Sequence, residues 1–226
     1  MKIAKMEVTC IGSFGDDLTV VNAARVSFDK ESDWHEEGEG ILKPSDGGLI
    51  RYLADHKHFS PFNHAFLSFR VKAPIFVARQ LVKHKFLPWN EVSRRYVDSE
   101  PEFFMPEGFR ARAENVKQGS SDELVTGVTL KSHGWVTDPV TYNTDAALCA
   151  YGTLIGHGVC PEQARMVLPL NMMTEWIWSG TLGAFLDMLV LRLDNHTQKE
   201  TQEIAKLIAE HVKDKFPASF KARIKE

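Results

Sequence analysis

The sequence predicts an α+β domain in which a mixed or antiparallel sheet packs against helices. Strand-like alternation of apolar and polar residues occurs at 65–71, and helical periodicity occurs through much of the C-terminal third. A content of 43% hydrophobic and 25% charged residues is typical of a chain that can bury a core. The length of 226 residues favours one domain over 1–226, with an elaboration at about 97–140 that has weak patterning.

The N-terminal elements follow from these periodicities. Strands are predicted at 1–11 and 65–71, and helices at 18–26 and 49–56. The intervening residues 29–48 are acidic and rich in glycine, which predicts a solvated loop.

The C-terminal elements are mainly helical. In the elaboration, Phe103 and Phe104 indicate a strand, and 123–130 indicates a short hairpin. Helices are predicted at 143–157, from Pro161 to near Pro169, at 182–193 and at 199–216. Thr181 is expected to cap the helix at 182–193.

Composition excludes several classes of protein. A net charge of −3 argues against general nucleic-acid binding, which requires a basic surface. The first ten residues alternate and lack the apolar core of a signal peptide, and no apolar run reaches the roughly 20 residues of a membrane span. Three widely spaced cysteines favour a reducing cytoplasm without a CxxC site. Cys160 is interpreted as a buried or helix-flanking thiol, with a nucleophile as the alternative.

Two groups of histidines raise the question of a metal. His35 stands beside Glu36 and Glu37, but adjacent charges in a glycine-rich stretch are usually solvated. The segment HKHFSPFNH at 56–64 has three histidines without a regular ligand spacing. We therefore expect no metal site, and we expect the 56–64 segment to form either a ligand-binding wall or a structural corner.

The segment 74–96, PIFVARQLVKHKFLPWNEVSRRY, has the highest density of basic and hydrogen-bonding residues in the chain. Pro74 suits the first position of a helix, and Pro88 requires that helix to end before it. The spacing predicts that Gln80, Lys83 and His84 lie together at the helix end.

Residues 89–96 are predicted to form a loop after that helix. Ser93, Arg94 and Arg95 offer a hydroxyl group, backbone N–H groups and two guanidinium groups to one anion. The alternative is a solvated basic loop. Arg165 stands among apolar neighbours and therefore requires a partner, either a carboxylate such as Glu162 or Glu175 or a ligand anion.

These residues alone indicate a site for phosphate groups, as in a nucleotide or a phosphorylated cofactor. The glycine-rich stretches match neither a P-loop nor a dinucleotide fingerprint.

The sequence also resembles a known family. KHK at 83–85, seven residues and then SRRY at 93–96 is similar to the signature of the flavin-dependent thymidylate synthases. That family has Arg-His-Arg, seven residues, Ser and x-Arg-Tyr. Further similar blocks keep the family's order: AARVSFD at 23–29, HKHFSPFNH at 56–64, VKAPIFVARQ at 71–80, GVCPEQARMVLPLN at 158–171 and LRLDNHTQKE at 191–200. The resemblance covers most of the chain except about 97–140, and it implies the family's characteristic fold.

The resemblance implies two sets of binding residues. The positions expected to contact FAD are Ser60, Lys83, His84, Lys85, Glu91, Thr181 and Asp187. The positions expected to bind dUMP, mainly at its phosphate, are Gln80, Lys83, Glu91, Ser93, Arg94, Arg95 and Arg165. Arg192 matches the residue that engages the uracil ring, and His58 matches a residue near the flavin face where nicotinamide or folate approaches.

The resemblance also implies a reaction, in which dUMP receives a one-carbon unit from 5,10-methylenetetrahydrofolate and electrons come from NADPH through FAD. This chemistry needs no cysteine nucleophile, and the flavin carries it. It further implies a homotetramer with active sites between subunits. Two alternatives remain: a relative that modifies another pyrimidine nucleotide or adds hydroxymethyl, and a non-catalytic nucleotide-binding relative that has lost the flavin.

The chain departs from the family pattern at several positions. Lys83 and Lys85 replace the two signature arginines, which keeps the charge but loses the bidentate geometry. Pro88 stands where serine is common. Gly183 and Asp187 stand where some members have arginine and asparagine against the nucleotide end of the flavin. These changes predict a weaker or altered FAD interaction.

Overall fold

The computed structural model describes residues 1–38, 40–114, 119–132 and 135–224. The strands are β1 Lys2–Ile3, β2 Glu7–Phe14, β3 Phe66–Pro74, β4 Trp89–Glu91, β5 Glu102–Phe103, β6 Phe109–Arg112, β7 Ser120–Val125, β8 Leu130–Ser132, β9 Trp135–Thr137 and β10 Met173–Thr181. The α-helices are α1 Asp17–Arg25, α2 Pro44–Asp55, α3 Ile75–Leu81, α4 Pro139–Gly156, α5 Pro161–Ala164, α6 Leu182–Arg192, α7 Lys199–Lys215 and α8 Pro217–Arg223. Short 3-10 helices lie at Val26–Phe28, Ser60–His64 and Arg165–Val167.

The central sheet has four antiparallel strands in the order β2, β3, β10, β4. Strand β10 lies between β3 and β4, so Trp176 stands opposite Val71 on one side and Glu91 on the other. Buried and half-buried residues alternate along most of β10, because successive side chains of a strand point to opposite faces of the sheet. Trp176 and Trp178 lie on the buried face. The α+β prediction with an antiparallel sheet is confirmed.

Helices α6 and α7 pack with this sheet in the core. Phe185 of α6 meets Phe69 of β3 edge-to-face, with ring centroids 5.1 Å apart. Along α7, Ile204, Ile208 and Val212 are fully buried, as their helical spacing predicts. The N-terminus of α6 is capped as expected, because the Ala184 N–H donates to Thr181 Oγ1 over 3.2 Å.

The acidic stretch 29–48 is not the purely solvated loop that its composition predicts. Helix α2 begins at Pro44, earlier than the predicted start at 49. Asp46 is fully buried, accepts a hydrogen bond from Ser32 Oγ over 2.6 Å and pairs with Arg25. A buried carboxylate needs such partners, so this part of the stretch anchors α1 to α2.

The helix that follows Pro74 is shorter than predicted, ending at Leu81 rather than just before Pro88. Phe86 adopts a left-handed conformation with φ of 62°, which no helix accommodates. The predicted loop at 89–96 is wrong for Trp89–Glu91, which form edge strand β4. The difference arises because these residues pair with β10, a strand distant in sequence. The Trp89 ring also stacks on Trp176, with ring centroids 4.2 Å apart.

The elaboration also differs in detail from its prediction. The strand predicted at Phe103 and Phe104 is β5, one residue earlier, and it pairs in parallel with β1. The hairpin predicted at 123–130 is wrong, since residues up to Val125 belong to β7. Strand β7 pairs with β6, and β8 pairs with β9, which gives two hairpins.

The termini provide two further corrections. The predicted strand at 1–11 divides into β1 and β2, and β2 continues to Phe14. Helix α8 was not predicted, and it follows α7 because Pro217 suits a helix start. Asp17 fixes α8 by accepting hydrogen bonds from the backbone N–H groups of Ala218 and Ser219 over 2.7 and 3.0 Å. None of the described helices has the length and hydrophobicity needed to cross a bilayer.

Candidate functional site

Arg192, at the end of α6, lines a cavity of about 620 Å³, here called the Arg192 cavity. Its Nε donates to His84 Nε2 over 2.9 Å, and its Nη2 donates to the Gln80 carbonyl oxygen over 2.9 Å. Two residues of the basic segment therefore hold the guanidinium group, although His84 lies beyond the end of α3. Within the described residues, Nη1 has no partner and remains available to a ligand.

His84 is neutral at physiological pH. Burial and the neighbouring Arg192 charge lower the pKa of His84 to about 4. Because Nε2 accepts from Arg192, the imidazole proton must reside on Nδ1. Burial also lowers the pKa of Arg192, but an arginine side chain stays protonated in this range. The pair therefore carries a single positive charge.

The wall of the Arg192 cavity contains residues that the sequence did not single out. Gln80 Nε2 donates to Gln198 Oε1 over 2.5 Å, and Arg110 and Ser120 of the elaboration line the same cavity. Gln198 lies within the LRLDNHTQKE block, so the resemblance could have indicated it. No local signal indicated Arg110 or Ser120.

A second cavity, here called the Arg165 cavity, has a volume of about 900 Å³. Arg79, Arg94, Arg165 and Glu91 are among its lining residues. Arg94 donates to the carbonyl oxygen of Ser99. Gln80 lines the Arg192 cavity, whereas Arg94 and Arg165 line this one, so the predicted dUMP-binding residues divide between two surfaces of one chain.

Neither Glu162 nor Glu175 gives Arg165 a carboxylate partner, and no other carboxylate among the described residues does so. The Arg165 side chain is exposed, because the 3-10 helix at 165–167 turns it away from the apolar neighbours. Its Nε donates to the backbone carbonyl of Glu162 over 3.3 Å, and Glu175 instead accepts from Arg70 over 2.9 Å. The ligand-anion alternative therefore remains a prediction.

Glu91 and the SRRY motif already have partners within the chain. Glu91 accepts hydrogen bonds from Thr174 Oγ1 over 2.6 Å and from Trp89 Nε1 over 3.0 Å. Arg95 Nε donates to Ser93 Oγ over 3.1 Å. Ser93 and Arg95 line neither cavity in this chain, so their predicted contact with an anion requires another surface or a rearrangement.

A third group lies at the opposite end of α6 from Arg192, about 16 Å away for an 11-residue helix. Thr181 Oγ1 donates to Asn63 Oδ1 over 2.8 Å, within the segment that begins with Ser60. A Cβ at Gly183 would clash with that Asn63 oxygen, so a larger residue here would require the Asn63 side chain to move.

Two more predicted residues belong to this third group. Asp187 is exposed and pairs with Arg223. The Arg223 guanidinium lies 4.9 Å from the centre of the Phe59 ring, beside His58 and Ser60 in the chain. His58 is exposed and lines neither cavity; its ring lies 6.0 Å from Tyr52.

The donor set suits a dinucleotide such as FAD. Lys83 and Lys85 are exposed and have no hydrogen bond or ion pair with the described part of the chain, so both ammonium groups are available to an anion. A diphosphate requires this kind of unpaired cation.

Metal and thiol chemistry would depend on the histidine clusters and the cysteines. No three His, Cys, Asp or Glu residues among them are grouped as metal ligands, at either histidine cluster or elsewhere. Cys160 is exposed and immediately precedes α5, so the helix-flanking interpretation is correct and the buried one is wrong. Cys10, Cys149 and Cys160 are absent from the linings of both cavities.

Comparison with known proteins agrees with this architecture. Residues 10–218 match the family model described as Thymidylate synthase complementing protein. The flavin-dependent thymidylate synthase of Thermus thermophilus is 40% identical over 216 residues, covering 95% of this chain and 74% of that protein. The enzyme of the same name from Thermotoga neapolitana is 36% identical over 228 residues, covering 100% of this chain and 95% of that protein.

A solved structure gives a second line of comparison. The UMP/dUMP methylase PolB from Streptomyces cacaoi, bound with 5-Br dUMP, is similar with a TM-score of 0.79 and 27% identity. The similarity covers 98% of this chain and 96% of that one. The family match runs from strand β2 into helix α8. The resemblance noted in the KHK and SRRY motifs is therefore confirmed, and the chain belongs to the Thymidylate synthase complementing protein family, the flavin-dependent thymidylate synthases.

Proposed function

We propose that the chain converts dUMP to dTMP, with 5,10-methylenetetrahydrofolate as carbon donor and NADPH as reductant through FAD. The observation that carries this proposal is the Arg192 guanidinium, which two hydrogen bonds fix at the edge of a cavity while Nη1 remains available. The names of the curated relatives and the dUMP analogue bound to PolB support the same substrate.

Arg192 is the proposed electrostatic catalyst. As a fixed and partly desolvated cation, it stabilises the negative charge that develops on the uracil ring. Gln80 and His84 orient the guanidinium before the substrate arrives, so little reorganisation is needed during the reaction.

The remaining substrate contacts are proposed for the nucleotide, mainly its phosphate. The residues are Gln80, Lys83, Glu91, Ser93, Arg94, Arg95 and Arg165. Since Gln80 and Arg165 line different cavities, one nucleotide cannot contact all of them within one chain. We propose a homotetramer in which the Arg192 cavity of one subunit meets the Arg165 cavity of another.

FAD is proposed to lie along Ser60, Lys83, His84, Lys85, Glu91, Thr181 and Asp187. When bound, the flavin supplies the redox chemistry. The lysines neutralise the diphosphate, and His58 stands beside Ser60 on the side proposed for nicotinamide or folate. Asp187 must exchange its ion pair with Arg223 for any direct contact with the cofactor.

Residues 1–226 are proposed to act as a single domain, with 97–140 as its elaboration. We propose a cytoplasmic location, which the free thiols of Cys10, Cys149 and Cys160 support.

A purified preparation tests this proposal. Bound flavin should give absorbance at roughly 450 nm. Tritium should be released from 5-labelled dUMP only when both NADPH and methylenetetrahydrofolate are present, and the product mass should be that of dTMP. A hydroxymethyl product, or turnover of another pyrimidine nucleotide alone, would indicate the first alternative. A colourless protein that binds dUMP but cannot be reconstituted with FAD would indicate the non-catalytic alternative.

A further inference from the structure

A chain of polar side chains connects the elaboration to the Arg192 cavity. Arg110 of β6 donates from Nη2 to Glu200 Oε1 over 2.6 Å, and Gln198 Nε2 donates to Glu200 Oε2 over 2.9 Å. Gln80 Nε2 then donates to Gln198 Oε1 over 2.5 Å. Four side chains from three distant segments therefore form one continuous path, here called the Arg110 relay.

Charge dictates the direction of every bond in this relay. An ionised carboxylate only accepts hydrogen bonds, so Gln198 must turn its amide N–H₂ towards Glu200. Gln198 therefore presents its carbonyl oxygen to Gln80, and Gln80 must turn its own N–H₂ towards Gln198. Thr201 Oγ1 also donates to Gln80 Oε1 over 3.2 Å, but a hydroxyl group can accept as well as donate, so it tolerates either orientation of the amide. An amide side chain is nearly symmetric in shape, so without the carboxylate both orientations of Gln80 would be accessible.

The surroundings keep Glu200 ionised. Burial alone would raise the pKa of Glu200, but hydrogen bonds from Arg110 and Gln198 outweigh it and lower the pKa overall. Arg110 is in turn held by Ser120 of β7, since its Nε donates to Ser120 Oγ over 2.8 Å. The hairpin β6–β7 therefore places a cation beside a buried carboxylate.

We infer that Arg110 is a positioning residue that acts through Glu200 and Gln198 to fix the orientation of the Gln80 amide at the Arg192 cavity. This inference rests on the proposed function, in which Gln80 contacts dUMP. Gln80 Nε2 keeps one N–H for an acceptor on the nucleotide. A flipped amide would turn its carbonyl oxygen towards that acceptor, which repels it. The elaboration thereby contributes to substrate affinity through the orientation of Gln80, in addition to any contact that Arg110 makes as a lining residue of the same cavity.

The substitution Glu200→Gln tests the relay because it keeps the shape of the side chain and removes its charge. On the FAD-loaded protein, we expect the Kd for dUMP, measured by isothermal titration, to rise about tenfold. The KM for dUMP should rise with it, while kcat stays within about twofold. Arg110→Met should have a similar effect, and Arg110→Lys should restore most of the affinity because it keeps a charged donor.

Asp122→Asn is the matched control. Asp122 lies on the same hairpin and pairs with Lys199 over 3.2 Å, but it is not part of the relay. Its loss should leave dUMP affinity unchanged. An equal loss of affinity in Asp122→Asn, or unchanged dUMP affinity in Glu200→Gln, would overturn the inference.

A double-mutant cycle separates the relay from general destabilisation. If Glu200 acts through Gln80, Glu200→Gln should have no further effect on dUMP affinity in a Gln80→Ala background. Equal effects in both backgrounds would contradict the relay.

Failure of the proposed function can be distinguished from failure of the Arg110 relay. If the wild-type protein binds no dUMP, that function is wrong, and ligand-free crystal structures test the relay alone. The relay predicts that the contact between Gln80 and Gln198 opens or reverses in Arg110→Met, and an unchanged contact would contradict it.

Discussion

The Arg192 cavity and the Arg165 cavity use the same kind of side chain in opposite ways. The Arg192 guanidinium is partly buried and donates two hydrogen bonds of 2.9 Å to other segments of the chain. The Arg165 guanidinium is exposed, and within the described residues it makes one hydrogen bond, of 3.3 Å, to a carbonyl oxygen in its own turn. One cation is preorganised by the chain, and the other requires a ligand or a neighbouring subunit to fix it.

This difference suggests a division of labour. Charge stabilisation in a transition state depends on groups that do not reorganise, which suits Arg192. Binding of a phosphate needs accessible cations with free N–H groups, which suits Arg165. Substitutions at the two positions should therefore change different kinetic constants.

The largest effect is expected for Arg192→Ala. Removing a preorganised charge at the pyrimidine should lower kcat by about 10²–10³-fold or more, while flavin remains bound. Steady-state rates and the flavin absorbance of the purified variant measure both effects. Full activity in Arg192→Ala would contradict the role proposed for this residue. Arg192→Lys keeps the positive charge but loses the planar guanidinium group, so its kcat shows how much of the effect depends on geometry rather than charge.

A smaller effect of another kind is expected for Arg165→Ala. Loss of one charge-assisted contact to phosphate should raise the KM for dUMP by about 10–100-fold with little change in kcat. Arg51→Ala, on the exposed face of α2 and outside both cavity linings, is the control and should leave KM unchanged. A fall in kcat at unchanged KM would show that Arg165 does not serve as a binding residue.

The next prediction concerns FAD binding by the two lysines of the KHK motif. Lys83 and Lys85 are exposed and lack the planar donor pair of arginine. The double substitution Lys83→Arg and Lys85→Arg should tighten FAD binding a few-fold, measured by quenching of flavin fluorescence. Weaker FAD binding would mean that the two positions are adapted to lysine.

The smallest effect concerns the pH dependence of stability that arises from His84, the residue that accepts a hydrogen bond from Arg192. The folded His84 stays neutral down to about pH 4, whereas an unfolded histidine binds a proton below about pH 6.5. The unfolded state therefore gains protons first, and this contribution to stability is lost as pH falls from 6.5 to 4. Urea denaturation should show the wild-type protein losing stability over this window relative to His84→Gln. A constant difference would contradict the lowered pKa.

Local signals predicted the parts of the fold that local chemistry determines. The Thr181 cap, helix α6 and the buried face of α7 follow from residue types at fixed spacings. Strand β4 and the two hairpins of the elaboration were missed or misplaced, because they depend on partners distant in sequence.

The site was predictable to a similar extent. Sequence similarity indicated Arg192, His84 and Gln80, but nothing in the sequence indicated that Arg192 bonds a residue 108 positions away. Nor did it indicate Arg110, whose partner Glu200 lies 90 positions further along the chain. Which cavity each cation lines depends on tertiary packing.

Mixed oligomers test most directly whether the two cavities form one site between subunits. Arg165→Ala and Arg192→Ala chains, each nearly inactive under limiting dUMP, would be unfolded, mixed in equal amounts and refolded together. If each site takes Arg192 from one subunit and Arg165 from another, random mixing gives about a quarter of the sites both arginines. Activity should therefore recover to about a quarter of the wild-type value. Activity no greater than the average of the two separately refolded parents would contradict this account.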